Sequence, residues 1–590
     1  MCHPPRLGSV QDVRGFGIRC LLLGLLVAFG VGGCGLSDSD DPRPYRSAAE
    51  RGPGADKGEE EESETEDDEC PSPRACPHGD QIDWERSLII RDSELLEGFS
   101  FKRVMDQIVA TSGEPNMTSL ELYQRWWDTM NAENERQPLV SSPDDGELAR
   151  FDQPCDADVL DGQTFFNDYP IECPRIEGIL AYTNPFEETI EVDGQEVDNL
   201  DAYIPLGLFN RMDLAPSDGS HCGEMRIVFA KNSGTLPRNQ FSPPPGGNRN
   251  LLIFEAVIPN PNPECGINGC LPLAQEWYKL SKIRNQRALR AQLEKLYFEG
   301  FDNFPAAIRA DHLGPKGGHV RTNQFMSAVS VDRSTPPQSG PRGFALWQLR
   351  DFKLTKNCSG GSCELGIKQL PIDDNPFGNL FSSESNYPQA DGFKKQFLEE
   401  IPNLAIPGLK TISMDLDAKY LAGESNAPPA CLPPGTPGAP PGAQIPDDAC
   451  YDKHFDPDSQ FAQDIQRELD QLGSSVTPTQ IVQRADTLSC GGCHQNVENA
   501  DVGNGEFQSE KPMDFVHISE ENPIDGRYHR LSTMMHEMDI PHRLEVMREF
   551  MCKGEHLHED EKKKLEGRPG VDQEFLERRF ETLGGPDRVH

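Results

Sequence analysis

Basic residues are scarce in this chain: 56 lysines and arginines stand against 97 aspartates and glutamates, a formal net charge of −41 over 590 residues. A surface of that sign repels phosphates, which excludes nucleic acid as a partner and favours a basic protein. Long apolar runs are missing too, since the run from Leu21 to Val31 is too short to span a bilayer. There is no glycine-rich phosphate loop, which argues against a doubly wound nucleotide-binding fold. His536-Glu537 with His542 misses the zinc-protease helix, whose second imidazole would have to stand at Ile540. A chain of this length exceeds one compact core, so two or three domains are expected.

What is present is concentrated in Leu488-Ser489-Cys490-Gly491-Gly492-Cys493-His494. Two thiols three apart, followed directly by a histidine, form the pattern by which a chain attaches haem covalently. On the first turn of a helix, residues i and i+3 share a face, so both sulfurs reach one porphyrin edge while the next imidazole reaches the iron. On this composition about 0.01 accidental matches to the spacing are expected. The segment resembles the c-type cytochromes, over little more than the motif. That resemblance implies one covalent haem c, with Cys490 and Cys493 as thioethers and His494 as the proximal iron ligand. Rival readings of the same thiols are a disulfide, a thioredoxin-type dithiol, and a zinc site completed by Cys552 and His556.

In small c-type cytochromes the second axial ligand is commonly a methionine in the loop before the closing helix. The matching stretch here precedes a helix expected from Pro541 and holds Met534, Met535, His536 and Met538. Met535 is the candidate, with Met534 and Met538 beside it. His517, His529 and His542 are the alternatives, and bis-histidine ligation would lower the potential.

The N-terminus reads as an export signal, with Arg6, Arg14 and Arg19 ahead of the apolar run. Val31-Gly32-Gly33-Cys34 resembles the cleavage box of bacterial lipoproteins, which implies a lipid on Cys34 and a place in the cell envelope, at the outer membrane or the periplasmic face. An exported chain can keep disulfides. After Cys2, Cys20, Cys34, Cys490 and Cys493 are set aside, 12 cysteines remain of the 17. Nearness in sequence suggests Cys70 with Cys76, Cys155 with Cys173, Cys265 with Cys270, Cys358 with Cys363 and Cys431 with Cys450, leaving Cys222 for Cys552.

The expected fold is α+β and multidomain. Residues 1–33 are the signal, and 34–84 form a disordered acidic tether, because runs such as Glu59 to Glu62 cannot bury apolar surface. Residues 85–145 are a helical segment in which Ser100 caps Phe101, Val104, Met105 and Ile108, and Thr118 with Glu121 forms a capping box. Residues 146–426 are a β-rich central domain: Met225 to Ala230, Leu251 to Ile258, Val320 to Val331 and Phe344 to Leu354 carry strand patterns, interrupted by a helix from about Leu273 to Phe298. A Pro/Gly-rich linker, 427–450, leads to a mainly α-helical cytochrome c-like domain, 451–590, with helices at Phe461–Leu469 and from Pro478 into the thiols. The wording of Phe209-Asn210-Arg211 and of Leu251 to Pro261 resembles uncharacterised exported proteins that end in a haem motif. That resemblance implies no activity.

The resulting expectation is a membrane-tethered, extracytoplasmic electron-transfer protein with a basic redox partner. A second reading is a haem-containing oxidoreductase whose central domain does chemistry through Asp213, Glu224, Arg226 or His319. A third is a surface lipoprotein without haem, with a structural metal or disulfide site at the thiols.

Overall fold

The computed structural model describes residues 70–73, 76–78, 81–127, 158–160, 163–171, 188–192, 195–231, 250–327, 345–359, 362–408, 412–427, 448–492, 501–503, 517–519, 525–566 and 573–585. Cys34, Cys155, Cys173, Cys431, Cys493 and His494 lie outside these. Among the described residues no helix is long and apolar enough to cross a membrane.

The protein is mixed α and β, and the frame is one antiparallel sheet of eight strands. Its strands are β1 (Ile89–Ile90), β2 (Tyr203–Arg211), β3 (His221–Lys231), β4 (Asn250–Pro259), β5 (His319–Ser327), β6 (Ala345–Ser359), β7 (Ser362–Leu370) and β8 (Ser425–Ala427). The first seven neighbour one another in chain order, and β8 pairs with the start of β6. Such a meander needs no crossover helix, which is why the sheet is antiparallel rather than doubly wound. The expected strand patterns fall in it over the described residues, with 328–331 and 344 lying outside them, and β1 adds a strand from the segment expected to be helical.

Period-two alternation gives the sheet two unlike faces. On one, Ile227 and Phe229 of β3, Leu252 and Phe254 of β4, Val320 of β5 and Phe352 of β6 are buried under α1 (Phe101–Ser112) and α2 (Ser119–Trp127). Phe101 lies 5.5 Å from Phe229 and 6.0 Å from Phe254 between ring centroids, and Trp126 stands edge-on to Phe352. Ser100 caps α1 through the Arg103 amide, and the Glu121 amide donates to Thr118, one of the two bonds of a capping box, while the Glu121 carboxylate accepts from Arg125. Arg125 of α2 donates to the Leu365 carbonyl at 2.6 Å, so the helix is also pinned to the edge of β7.

The helix expected from Leu273 to Phe298 is two, α3 (Leu271–Leu280) and α4 (Gln286–Glu294), with Asn285 capping the second through the Ala288 amide. The first helix ends at Leu280 with Ser281 as its C-cap, and the asparagine starts the next. A second core gathers α5 (Ala390–Glu399), α6 (Gln460–Leu472) and α7 (Pro478–Leu488) around Phe381, Phe393, Phe397 and Ile465. The later C-terminal residues belong to the first core instead, where Ile518, Leu531, Met535, Ile540 and α8 (Ile540–Lys553) cover the other face of the sheet. Residues 68–590 form one compact unit.

The disulfides correct three of the six suggested pairings and bear out one, while Cys155 with Cys173 and Cys431 with Cys450 rest on residues outside the described ones. Cys70 bonds Cys265, Cys76 bonds Cys552 and Cys222 bonds Cys270, while Cys358 with Cys363 closes the β6–β7 hairpin as expected. The reason is topological. Cys222 opens β3 beside the N-terminus of α3, and the arm around residues 70–78 sets its two thiols against different elements. These bonds close loops of 195, 476 and 48 residues, which restrict the unfolded chain more than short local loops would.

Candidate functional site

The second face of the sheet carries a row of ions where an apolar layer would be the default. Arg211 stands opposite Glu224, Arg226 opposite Glu255, His319 opposite Glu255, and Arg321 opposite Asp351, so the row crosses β2 to β6 in adjacent register. A bulge at the start of β3 sets Glu224 and Arg226 on this face. Gly223 permits it: its φ is +78°, and a Cβ there would stand 2.4 Å from the Arg211 carbonyl oxygen.

The pairs are close, with Glu255, Asp351 and the Arg211–Asp213 pair buried and Glu224, Arg226, His319 and Arg321 half-buried. Arg226 reaches Glu224 at 2.7 Å and Glu255 at 2.9 Å; Arg321 reaches Asp351 at 3.1 Å and Glu255 at 3.3 Å. His319 Nδ1 lies 2.8 Å from Asp351, and Arg211 grips both oxygens of Asp213. Burial alone would raise the Glu255 and Asp351 carboxyls, but Arg226 and Arg321 outweigh it for the first, and Arg321 and His319 for the second, holding both below the usual range. Burial works against a charged His319, yet the bond to Asp351 pulls its imidazole above its ordinary value. At Asp539 burial wins over Arg543 and pushes the carboxyl up to about 6. The Arg543 guanidinium is drawn down to about 10 by burial and by Arg211.

Between this row and the C-terminal segment lies a cavity of about 120 Å³. Its apolar wall is Phe209, Val228, Leu251, Ile253, Leu349 and Ile518; its charged lining is Arg211, Arg226, Arg321 and Arg543 with Glu255 as the one carboxylate. Asn323, Cys490, His517 and Met535 complete it.

Cys490 is brought there by a chain of local bonds. Thr477 and Gln480 cap α7 reciprocally, with Pro478 in its first turn. The helix stops at Leu488, and Ser489 starts a new helical turn at Cys490 by accepting from the Gly492 amide at 2.9 Å. Gly492 cannot carry a side chain, because a Cβ would fall 1.7 Å from the Asp486 carbonyl oxygen. The Gly491 amide donates to Ser425 Oγ at 2.9 Å, and Ser425 donates to Asn375 at 2.6 Å. Strand β8 thereby ties the thiol segment to the sheet. Burial pushes the Cys490 thiol up to about 11 against the pull of Arg321, so it is no ready nucleophile and does not suit a reactive dithiol.

Of the residues proposed from sequence, Met535 and His517 share the cavity with Cys490, and Met535 is 1% exposed. Met534, Met538, His529 and His542 do not line it. The stretch around Met535 is not a loop: it is a turn of π-helix, Met535–Asp539, continuous with α8, because Pro541 sits within the first turn rather than ahead of it. Glu224 and His319 pair directly with residues that line the cavity or stand beside them, as does Asp213 with Arg211. The zinc set fails, since Cys552 is in a disulfide. Among the described residues no cluster of three His, Cys, Asp or Glu is placed to hold a metal ion. Glu255, Asp351, Asp539 and Arg543 were missed by motif reading. The signal was there for the first two, each a lone acid within an apolar strand pattern.

No family model, no curated protein and no solved structure matches this chain.

Proposed function

We propose that this protein is an exported, lipid-anchored electron carrier that holds one haem c through Cys490 and Cys493, with His494 and Met535 as axial ligands. The observation that carries the reading is that Cys490 and Met535, both picked out by the resemblance to c-type cytochromes, line one cavity. The donor types suit the group, with a thiol at the start of a helical turn, a buried thioether and guanidiniums for its carboxylates, while the space of about 120 Å³ takes only an edge of a macrocycle. Such a group supplies reversible one-electron chemistry when bound. The chain's own residues do the rest. Ser425 and Ser489 fix the backbone at Cys490, the ion row sets a charged floor, and Ile518 and Met535 exclude water from above. Methionine ligation saturates the iron, which suits a carrier rather than a site that activates oxygen. The lipid on Cys34 would hold the molecule at the membrane, and the net charge of −41 suits a basic redox partner.

The test is protein matured in an exporting host. A reduced α-band of c-type haem that survives acid-acetone extraction is expected, together with haem mass on the tryptic fragment containing Cys490; colourless protein without that mass ends the proposal. A second reading, an oxidoreductase, is favoured by the gathering of Glu224, Arg226 and His319 around the same cavity. Carbon monoxide separates the two, since it binds ferrous iron only where a coordination position is open or easily vacated.

A further inference from the structure

We infer that the cavity over the ion row is a built site for an organic carboxylate, which docks on Arg543 and Arg321 with the apolar body of its carrier against Val228, Ile253 and Ile518. Four arginines line this space with Glu255 as the one lining carboxylate, and Arg211, Arg226 and Arg321 are already paired with Asp213, Glu224, Glu255 and Asp351. Arg543 is the telling group. It is 3% exposed, and its Nε and Nη1 make no hydrogen bond among the described residues. Its ion contacts are long, 3.3 Å to Asp539 and 3.9 Å to Asp213, because Asp213 is already gripped by Arg211. With Nη2 on Asp539 and Nε turned toward Asp213, Nη1 is left buried without a hydrogen-bond partner, which is costly, and a carboxylate oxygen would satisfy it.

Size narrows the ligand. An apolar cavity of about 150 Å³ takes one benzene, so the smaller space of about 120 Å³ here takes only the carboxylate-bearing edge of an organic acid or of a larger plate. Two sources supply that chemistry: a propionate of the protein's own haem, which rests on the function proposed above, or a free aliphatic or aromatic acid, which does not.

The experiment uses the exported full chain as wild type, as Arg543→Met and Arg543→Lys, and as Cys490→Ala/Cys493→Ala, with benzoate as the free probe followed by calorimetry. If a propionate fills the site, Arg543→Met lowers the haem midpoint potential, because a lost cation favours the ferric form. Arg543→Lys then restores most of it, and benzoate binds only the variant without thiols. If a free acid is the ligand, haem-loaded wild type binds benzoate and Arg543→Met weakens binding at least tenfold. Wild type that carries no haem yet binds benzoate with the same Arg543 dependence sinks the haem reading and leaves this site standing. The inference is overturned if benzoate binds no form and Arg543→Met leaves the potential unchanged. Should Arg543→Met fail to fold, Ile518→Phe fills the cavity without touching a charge, and unchanged benzoate binding or potential there overturns it equally.

Discussion

On one face of the sheet Phe229, Phe254 and Phe352 meet α1 and α2 through ring contacts of 5.5 to 6.3 Å, whereas on the other Arg226, Glu255, Arg321 and Asp351 pair at 2.9 to 3.3 Å beneath the C-terminal segment. The first face is apolar packing, whose contribution grows with the area buried. The second contributes little net stability, because desolvating each ion offsets most of the attraction it gains, and similar apolar residues would commonly serve as well. On the inference drawn above, the ions on the face bordering the cavity serve the carboxylate that enters it. The aromatic face holds the frame; the ionic face shapes the site.

The comparison breaks most visibly at Phe254. Truncation to alanine removes contacts with Phe101, Trp126 and Phe229, and is expected to cost about 4 kcal/mol in urea unfolding. The benzoate affinity or haem spectrum should be unchanged in the protein that remains folded. On the ionic face, Arg211→Met alone should cost about 3 kcal/mol, since Asp213 is left buried without its main partner. Adding Asp213→Leu should return most of that loss. A double variant as unstable as the sum of its parts would show that the pair is ordinary packing, and the contrast between the faces would be wrong.

A smaller effect, about 1 kcal/mol, is expected for Ser425→Ala, which takes away the acceptor of the Gly491 amide. Faster hydrogen exchange at Gly491, with little change at Phe254, is the measurement. The gentlest probe is pH. Asp351 is held below its ordinary value of 3.8, so its contribution is present above that value and lost as pH falls through its folded pKa. His319 is raised above 6.5, so its contribution is present below 6.5 and lost as pH rises through its folded pKa. The pair therefore stabilises most between these limits. His319→Asn should narrow its gap to wild type as pH climbs past neutrality; a gap that widens there contradicts the pairing.

The residue order was enough to specify the meander, because alternation in stretches such as Leu251 to Ile258 needs no knowledge of neighbours, and enough to place the caps at Ser100 and Thr477, whose signals are local. It also singled out Cys490 and Met535 by spacing and by residue type. Tertiary structure alone decided which thiols meet, since Cys70, Cys76 and Cys222 find partners brought by distant elements. It alone set Arg543 and Asp539 over the strands that carry Arg211 and Arg321, because electrostatic attraction depends on distance through space and a linear text records only distance along the chain.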